Sequence, residues 1–174
     1  MSLAYQIESS HIWSQLNIKK SDDYLDLMLE SYDTIEFKDF LGRYRRLITV
    51  KYDSTAMLNL LNDTVECGIV NRPAHCEEFI RFLDGLPTCN KYVRNDMEKW
   101  ATNCVRSVQA FVKKEYEGAA NAELTCYAYM VDKIDFVSMF ILPRLGEQKQ
   151  LRYAALANLK QNVLALCDSK LDNI

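Results

Sequence analysis

Residues 90–116 read NKYVRNDMEKWATNCVRSVQAFVKKEY, and this stretch decides the fold class. Its apolar side chains recur at intervals of three and four residues, which places them on one face of an α-helix. They are Val93, Met97, Trp100, Cys104, Val108 and Val112. Gly118 follows shortly after the last of them and is suited to the end of a helix. The stretch therefore predicts one long amphipathic helix.

Helical patterns continue on both sides of this stretch. Capping residues, Gly and Pro separate them; Asp53 begins one helix, and Pro73 is suited to the first turn of the next. We predict further helices over residues 4–17, 21–32, 34–50, 54–69, 74–84, 121–142 and 147–170. Short connections favour antiparallel neighbours. The prediction is thus an all-α single-domain helical bundle, residues 1–174, of seven or eight mostly antiparallel helices. The long C-terminal helices of about 90–170 are its most regular part, and residues 1–72 form a looser half packing on 73–174.

Composition supports a folded helical domain. The chain has 174 residues, of which 49% are hydrophobic and 26% charged, so it is long enough to bury a core. Five Gly and three Pro are few for a β-sandwich or barrel, which needs many turns. The formal net charge of -3 argues against nucleic acid as the main partner.

Two further features predict the location and the state of the cysteines. The N-terminus, MSLAYQIE, does not resemble a signal peptide, and the longest apolar run, residues 136–142, is too short to span a bilayer. We therefore expect no membrane span and a cytoplasmic location. Six cysteines contain no CxxC pair, and most fall within apolar helical stripes. They are expected to be free and largely buried thiols.

Two acidic clusters are the strongest candidates for chemistry. Asp22-Asp23-Tyr24-Leu25-Asp26 is a DDxxD motif, and Asp168 and Asp172 form a DxxxD. Carboxylates four residues apart share a helix face and can hold Mg²⁺ bridged to a diphosphate. The pattern resembles the aspartate motifs of class I prenyl and terpene synthases, which are also all-α. The resemblance implies metal ligation by Asp22, Asp26, Asp168 and Asp172.

A purely structural interpretation of the same residues is simpler, and we favour it. Ser21 is a good N-cap, and carboxylates in the first turn of a helix are stabilised by the helix dipole. Histidine offers a second, weaker metal pattern: His11 ends an ExxH and His75 begins an HxxE. A chain with two histidines cannot supply the paired ExxH motifs of a di-iron bundle. We therefore predict no catalytic residue and no cofactor.

A cluster of cations and aromatics gives the candidate interaction surface. Arg43-Tyr44-Arg45-Arg46 is followed by Tyr52, and the helix over residues 90–116 adds two more tyrosines. Tyr and Arg are enriched in protein interfaces. The predicted surface consists of Arg43, Tyr44, Arg45, Arg46, Tyr52, Tyr92 and Tyr116.

Three functions follow from these observations. The leading hypothesis is a non-enzymatic interaction or regulatory protein that binds another protein or itself, so that a homo-oligomer is one form it can take. No GxSxG, GxGxxG or GxxxxGK[ST] motif points to a familiar enzyme class. The alternative is a reduced Mg²⁺-dependent, diphosphate-handling domain. A weaker alternative is a nucleic-acid-binding accessory protein that uses the arginine cluster.

Overall fold

Six α-helices make up most of the residues that the computed structural model describes, which are 23–49, 51–86, 91–118, 122–145 and 149–172. Side chains are described from Thr34 onward, Lys149 excepted. The helices are α1 (Asp23–Thr49), α2 (Ser54–Glu66), α3 (Pro73–Asp84), α4 (Lys91–Tyr116), α5 (Leu124–Phe136) and α6 (Lys149–Asp172). No β-strand occurs within these ranges, and the predicted all-α class is confirmed.

The number of helices in the described ranges is lower than the seven or eight predicted. The helix predicted over residues 4–17 lies outside the described residues. The break predicted between residues 32 and 34 is wrong, because α1 continues through it. Ser, Asp and Thr each lower helix propensity by less than about 1 kcal/mol, which does not end a helix without Gly or Pro. The antiparallel bundle arrangement stays a prediction.

The start of α2 and the turn into α3 follow the predicted capping chemistry. The Asp53 carboxylate accepts hydrogen bonds from the backbone N–H groups of Thr55 and Ala56, at 3.0 and 3.2 Å. Helix α2 ends at Glu66, earlier than predicted, because Gly68 adopts the left-handed conformation with φ 70°. A 3₁₀ turn, Ile69–Asn71, follows, and Pro73 is the first residue of α3.

The helix predicted over residues 121–142 changes its geometry before its end. The α-helical part stops at Phe136, and a π-helical turn (Val137–Ile141) and a 3₁₀ turn (Leu142–Arg144) follow. Pro143 has no N–H, and its ring crowds the preceding turn, which explains why the α-helical ladder is not continued. The Arg144 side chain donates instead to the backbone carbonyl of Phe140, at 2.9 Å.

The chain divides into two compact units, and the boundary lies between Asp96 and Met97. Helix α4 contains this boundary. In the first unit α1 packs on α2 and α3. In the second unit α5 packs on α6, and the Trp100 ring meets Phe136 edge to face at 5.2 Å. The predicted single domain, with its looser half ending at residue 72, stays a prediction.

Candidate interaction surface

The predicted arginine cluster on α1 separates into two faces. Arg43 and Arg46 are three residues apart and both exposed, so they share the outer face of the helix. Arg43 forms an ion pair with Asp39, at 3.7 Å and one turn earlier. Both side chains of this pair are largely exposed, and such pairs contribute only a few tenths of a kcal/mol. Arg43 and Arg46 therefore remain accessible to a partner.

Arg45 lies on a different face and packs inside the first unit. Its guanidinium lies 4.9 Å from the ring centroid of Phe82 on α3, in a cation–π contact. The close approach also requires Gly85, because a Cβ there would lie 2.8 Å from Nη1 of Arg45. Arg45 therefore holds α1 against α3 and is less exposed than Arg43 and Arg46, and its place in the interaction surface stays a prediction.

Tyr44 connects α1 to α2. Its hydroxyl donates a hydrogen bond to Oδ2 of Asp63, at 2.7 Å, and its ring meets Phe40 edge to face at 5.0 Å. Burial, and then the Asp63 carboxylate, raise the pKa of Tyr44 to about 12. The half-buried Tyr44 is thus a structural contact within the first unit.

Tyr52 and Tyr92 lie together at the start of α4. The Tyr52 hydroxyl donates to the Asp96 carboxylate, which also accepts from Ser54 Oγ at 2.8 Å. Burial first, and then Asp96, raise the pKa of Tyr52 well above its usual range. The rings of Tyr52 and Tyr92 stack at 6.1 Å, and Tyr92 remains 58% exposed. Of this pair, Tyr92 offers the larger accessible face.

Two open concavities flank Leu47 near the end of α1. One measures about 450 Å³ and is lined partly by Arg43, and the other measures about 500 Å³ and is lined partly by Arg46 and Lys51. Leu47 lines both of them and is 53% exposed. We call the set Arg43, Arg46, Leu47, Lys51 and Tyr52 the α1–α2 corner. It joins an exposed apolar side chain to three cations.

Leu47 was missing from the predicted surface. In the sequence it continues the apolar stripe of α1 together with Ile48, and spacing alone does not distinguish the two residues. Ile48 is buried, whereas Leu47 is turned about 100° away from it toward Arg43 and Arg46. One signal in the sequence could have indicated its exposure: Leu47 lies four residues after Arg43 and directly after Arg46.

Tyr116 ends α4 in the second unit and is 64% exposed. The α1–α2 corner belongs to the first unit, so Tyr116 is not part of it. Its exposure is compatible with contact to a partner, and its place in the interaction surface stays a prediction.

The predicted aspartate ligands are only partly described. Asp22 lies outside the described residues, and Asp26 lies in α1 with its backbone alone described. Asp168 and Asp172 are exposed and lie one turn apart at the end of α6. Among the described side chains, no group of three or more His, Cys, Asp and Glu is placed to hold a metal ion. The four aspartates therefore stay candidate ligands of the alternative hypothesis only.

The histidine pattern has a structural explanation in the described part of the chain. His75 is buried in α3 and stacks on Phe37 of α1, with ring centroids 4.6 Å apart and planes 7° apart. His11 lies outside the described residues. His75 is therefore part of the packing between α1 and α3.

The described cysteines are free thiols, as predicted. Cys76, Cys104 and Cys167 are buried, and burial raises the pKa of each thiol to about 11. Cys67 and Cys126 are exposed, so the expectation of buried thiols is wrong for these two residues. The buried thiols are protonated at neutral pH and are poor nucleophiles.

Within the described ranges no helix combines the length and the apolar character needed to cross a bilayer. No protein-family model, curated protein or solved structure shows significant similarity to this chain.

Proposed function

We propose that this chain acts without catalysis, by binding a segment of another protein at the α1–α2 corner. The segment carries acidic residues around one apolar side chain. The observation behind the proposal is Leu47, which is 53% exposed between two open concavities rimmed by Arg43, Arg46 and Lys51. An apolar side chain surrounded by polar groups is the usual arrangement of a binding centre and its rim.

The apolar part supplies affinity. Complete burial of a leucine side chain is worth about 1.5–3 kcal/mol relative to exposure. Leu47 lies between the concavities, so a partner side chain seated in either one contacts it. The stacked Tyr52 and Tyr92 rings lie at the same end of the first unit as Lys51 and Ser54, and they add aromatic surface.

The charges specify an acidic partner. Arg43, Arg46 and Lys51 contribute three positive charges to the corner. The one carboxylate that lines both concavities, Asp53, is occupied by two backbone N–H groups at the start of α2. Among the side chains that line the two concavities, three cations therefore outnumber one carboxylate, and Asp39 pairs only weakly with Arg43. Such complementarity gives specificity and a faster association rate.

A peptide library displayed on phage, selected on the immobilised protein, tests this proposal directly. We expect the selected peptides to be enriched in Asp and Glu around an apolar residue. Leu47→Ser should weaken the binding of these peptides at least about tenfold. Added salt should weaken their binding to Arg46→Gln less than their binding to the wild type, because one charge contact is lost. Leu151→Ser is the matched control, because Leu151 is 74% exposed in the second unit.

Four results would contradict the proposal. Peptides without acidic enrichment, or peptides that bind Leu47→Ser as well as the wild type, would remove the corner as their site. Dimerisation lost in Leu47→Ser, measured by light scattering, would make a second copy the occupant. Salt-dependent binding of an oligonucleotide, lost when Arg43 and Arg46 become Gln, would favour the nucleic-acid alternative.

A further inference from the structure

A cavity of about 270 Å³ lies within the second unit, between α4, the 137–144 segment and α6. Its wall is mainly aliphatic: Val105, Val137, Leu142, Ala155, Leu156 and Leu159. The polar side chains at the cavity come from the same two long helices, α4 and α6, and include Arg106 and Arg152. A mostly apolar wall with a few polar groups is typical of small-molecule sites.

The two arginines differ in whether the guanidinium already has a partner within the chain. Arg152 donates two hydrogen bonds to the carboxylate of Glu98, both at 2.7 Å, in the two-point geometry that neutralises and fixes a guanidinium. The Arg106 side chain is exposed, and its guanidinium forms no ion pair or hydrogen bond within the described part of the chain. The charged side chains that line the cavity, with Glu98, therefore leave one positive charge uncompensated.

Gln109 adds a neutral donor beside that charge. It lies three residues after Arg106 on α4, so the two side chains share a helix face, and both line the cavity. A guanidinium and an amide N–H₂ together can hold the two oxygens of one carboxylate. Leu156 and Leu159 on α6 are buried and give the cavity an apolar part.

The helix that borders the cavity has an irregular backbone at this position. Val137 begins the π-helical turn and Leu142 follows it, and both side chains line the cavity. The Leu142 N–H donates to the carbonyl of Val137, five residues back, which is the π-helical pattern. Single π turns in α-helices are found frequently at functional sites.

We propose that this cavity binds a small amphipathic monocarboxylate, with its carboxylate on Arg106 and Gln109 and its hydrocarbon part against α6 and Leu142. One uncompensated cation matches one negative charge. A volume of about 270 Å³ is just below the usual range of about 300–1,000 Å³ for small-molecule pockets, which limits the hydrocarbon part to a medium chain or a single ring. The inference is independent of the proposed protein-binding function, because every residue involved lies in the second unit.

Octanoate is the probe, and binding is measured by titration calorimetry on the full chain. Acetate supplies the carboxylate without the hydrocarbon part, and octanol supplies the hydrocarbon part without the carboxylate. We expect octanoate to bind more tightly than either. Arg106→Gln should weaken octanoate binding about tenfold or more, since a charged hydrogen-bond partner is lost. Lys113→Gln is the matched control, because it removes one charge from an exposed position of α4 outside the cavity.

A second variant tests the hydrocarbon part of the site. Ala155 is exposed and lines the cavity, so Ala155→Leu fills the space without removing a buried side chain. We expect this variant to fold and to lose octanoate binding. The proposal is overturned if titration with octanoate up to about 10 mM detects no binding, because a site weaker than that would not be a specific one. It is also overturned if octanol binds equally well, or if both variants bind octanoate like the wild type.

Discussion

Lys160 on α6 forms an ion pair with Asp135 on α5, with Nζ 3.2 Å from Oδ1. The two side chains are only 13% and 9% exposed. Charges held this far from water are costly to separate, because the remaining partner would keep an uncompensated charge in a medium of low dielectric constant. The pair therefore holds α5 against α6 within the second unit, beside the packed rings of Phe136 and Trp100.

Replacement of Lys160 by Met is expected to lower the free energy of unfolding by about 3–5 kcal/mol, since it removes the cation that lies 3.2 Å from the buried Asp135 carboxylate. Urea denaturation measures the loss. The double variant Lys160→Met/Asp135→Asn should recover part of it. Lys114→Met is the control, because Lys114 is exposed on α4 and its change should stay within about 0.5 kcal/mol. A loss in Lys160→Met no larger than the loss in Lys114→Met would contradict the argument.

Gly68 and Gly85 should respond differently to alanine. Gly68 has φ 70° and no atom near the position of an added Cβ, so Gly68→Ala costs about 1–2 kcal/mol from backbone strain alone. Gly85 has φ −82°, which alanine adopts freely, but the new Cβ would displace the Arg45 guanidinium from Phe82. The lost cation–π contact lowers the free energy of unfolding, whereas the reduced entropy of the unfolded chain raises it, and the two effects nearly cancel.

Thermal unfolding of the two alanine variants measures this difference. Gly85→Ala should change the free energy of unfolding by less than about 0.5 kcal/mol in the wild type. In an Arg45→Ala background the clash is absent, and Gly85→Ala should become stabilising. A Gly85→Ala variant that is less stable than Gly68→Ala would show that Arg45 cannot move aside.

The Tyr44–Asp63 hydrogen bond gives the first unit a dependence on alkaline pH. Burial and the Asp63 carboxylate raise the pKa of Tyr44 to about 12 in the folded chain, against about 10 in the unfolded chain. The folded state thus holds the phenolic proton more tightly. Its contribution to stability is complete below pH about 10 and is lost as the pH rises from there toward about 12.

Tyr44→Phe tests this dependence. At pH about 8 the variant should be less stable than the wild type by about 1 kcal/mol, and the difference should shrink between pH about 10 and about 11.5. Urea denaturation at both ends of that range provides the comparison. Tyr116→Phe is the control, because Tyr116 is exposed at the end of α4. A difference that grows with pH would contradict the assigned direction of the pKa change.

Local signals in the sequence predicted much of the helical structure. The helix predicted over residues 90–116 matches α4, Lys91–Tyr116, because its apolar stripe is long and regular. Asp53 is the N-cap of α2, and Pro73 is the first residue of α3. Gly118 follows α4 with a positive φ. Each of these features depends on residues within one or two helical turns.

Features that depend on distant residues could not be predicted in this way. The pairs Asp135–Lys160 and Glu98–Arg152 join positions 25 and 54 residues apart, and nothing in either local sequence names the partner. The split of the arginine cluster has the same origin, because Arg45 is turned inward by Phe82 on another helix. The inward contacts of Arg45 and Tyr44 were therefore not foreseen, and the interaction surface itself stays a prediction.

The aspartate motifs give the diphosphate alternative a direct test. Asp168 and Asp172 are exposed at the C-terminal end of α6, where the helix dipole disfavours a bound diphosphate. Lys170, between them in sequence, donates to the backbone carbonyl of Ala122 and lies 5.6 Å from the Tyr127 ring centroid. Exposed carboxylates of this kind hold Mg²⁺ weakly, because the ion keeps its waters.

We therefore expect no rise in the thermal midpoint with Mg²⁺ and pyrophosphate together, beyond the effect of either alone. A true site at a ligand concentration of a hundred times its dissociation constant would add about 2.7 kcal/mol, a readily measured change. A rise that needs both ligands, and that is lost in Asp22→Asn/Asp26→Asn and in Asp168→Asn/Asp172→Asn, would replace protein binding by diphosphate chemistry. A rise that persists in both variants would place the anion elsewhere and leave the aspartates as helix-end residues.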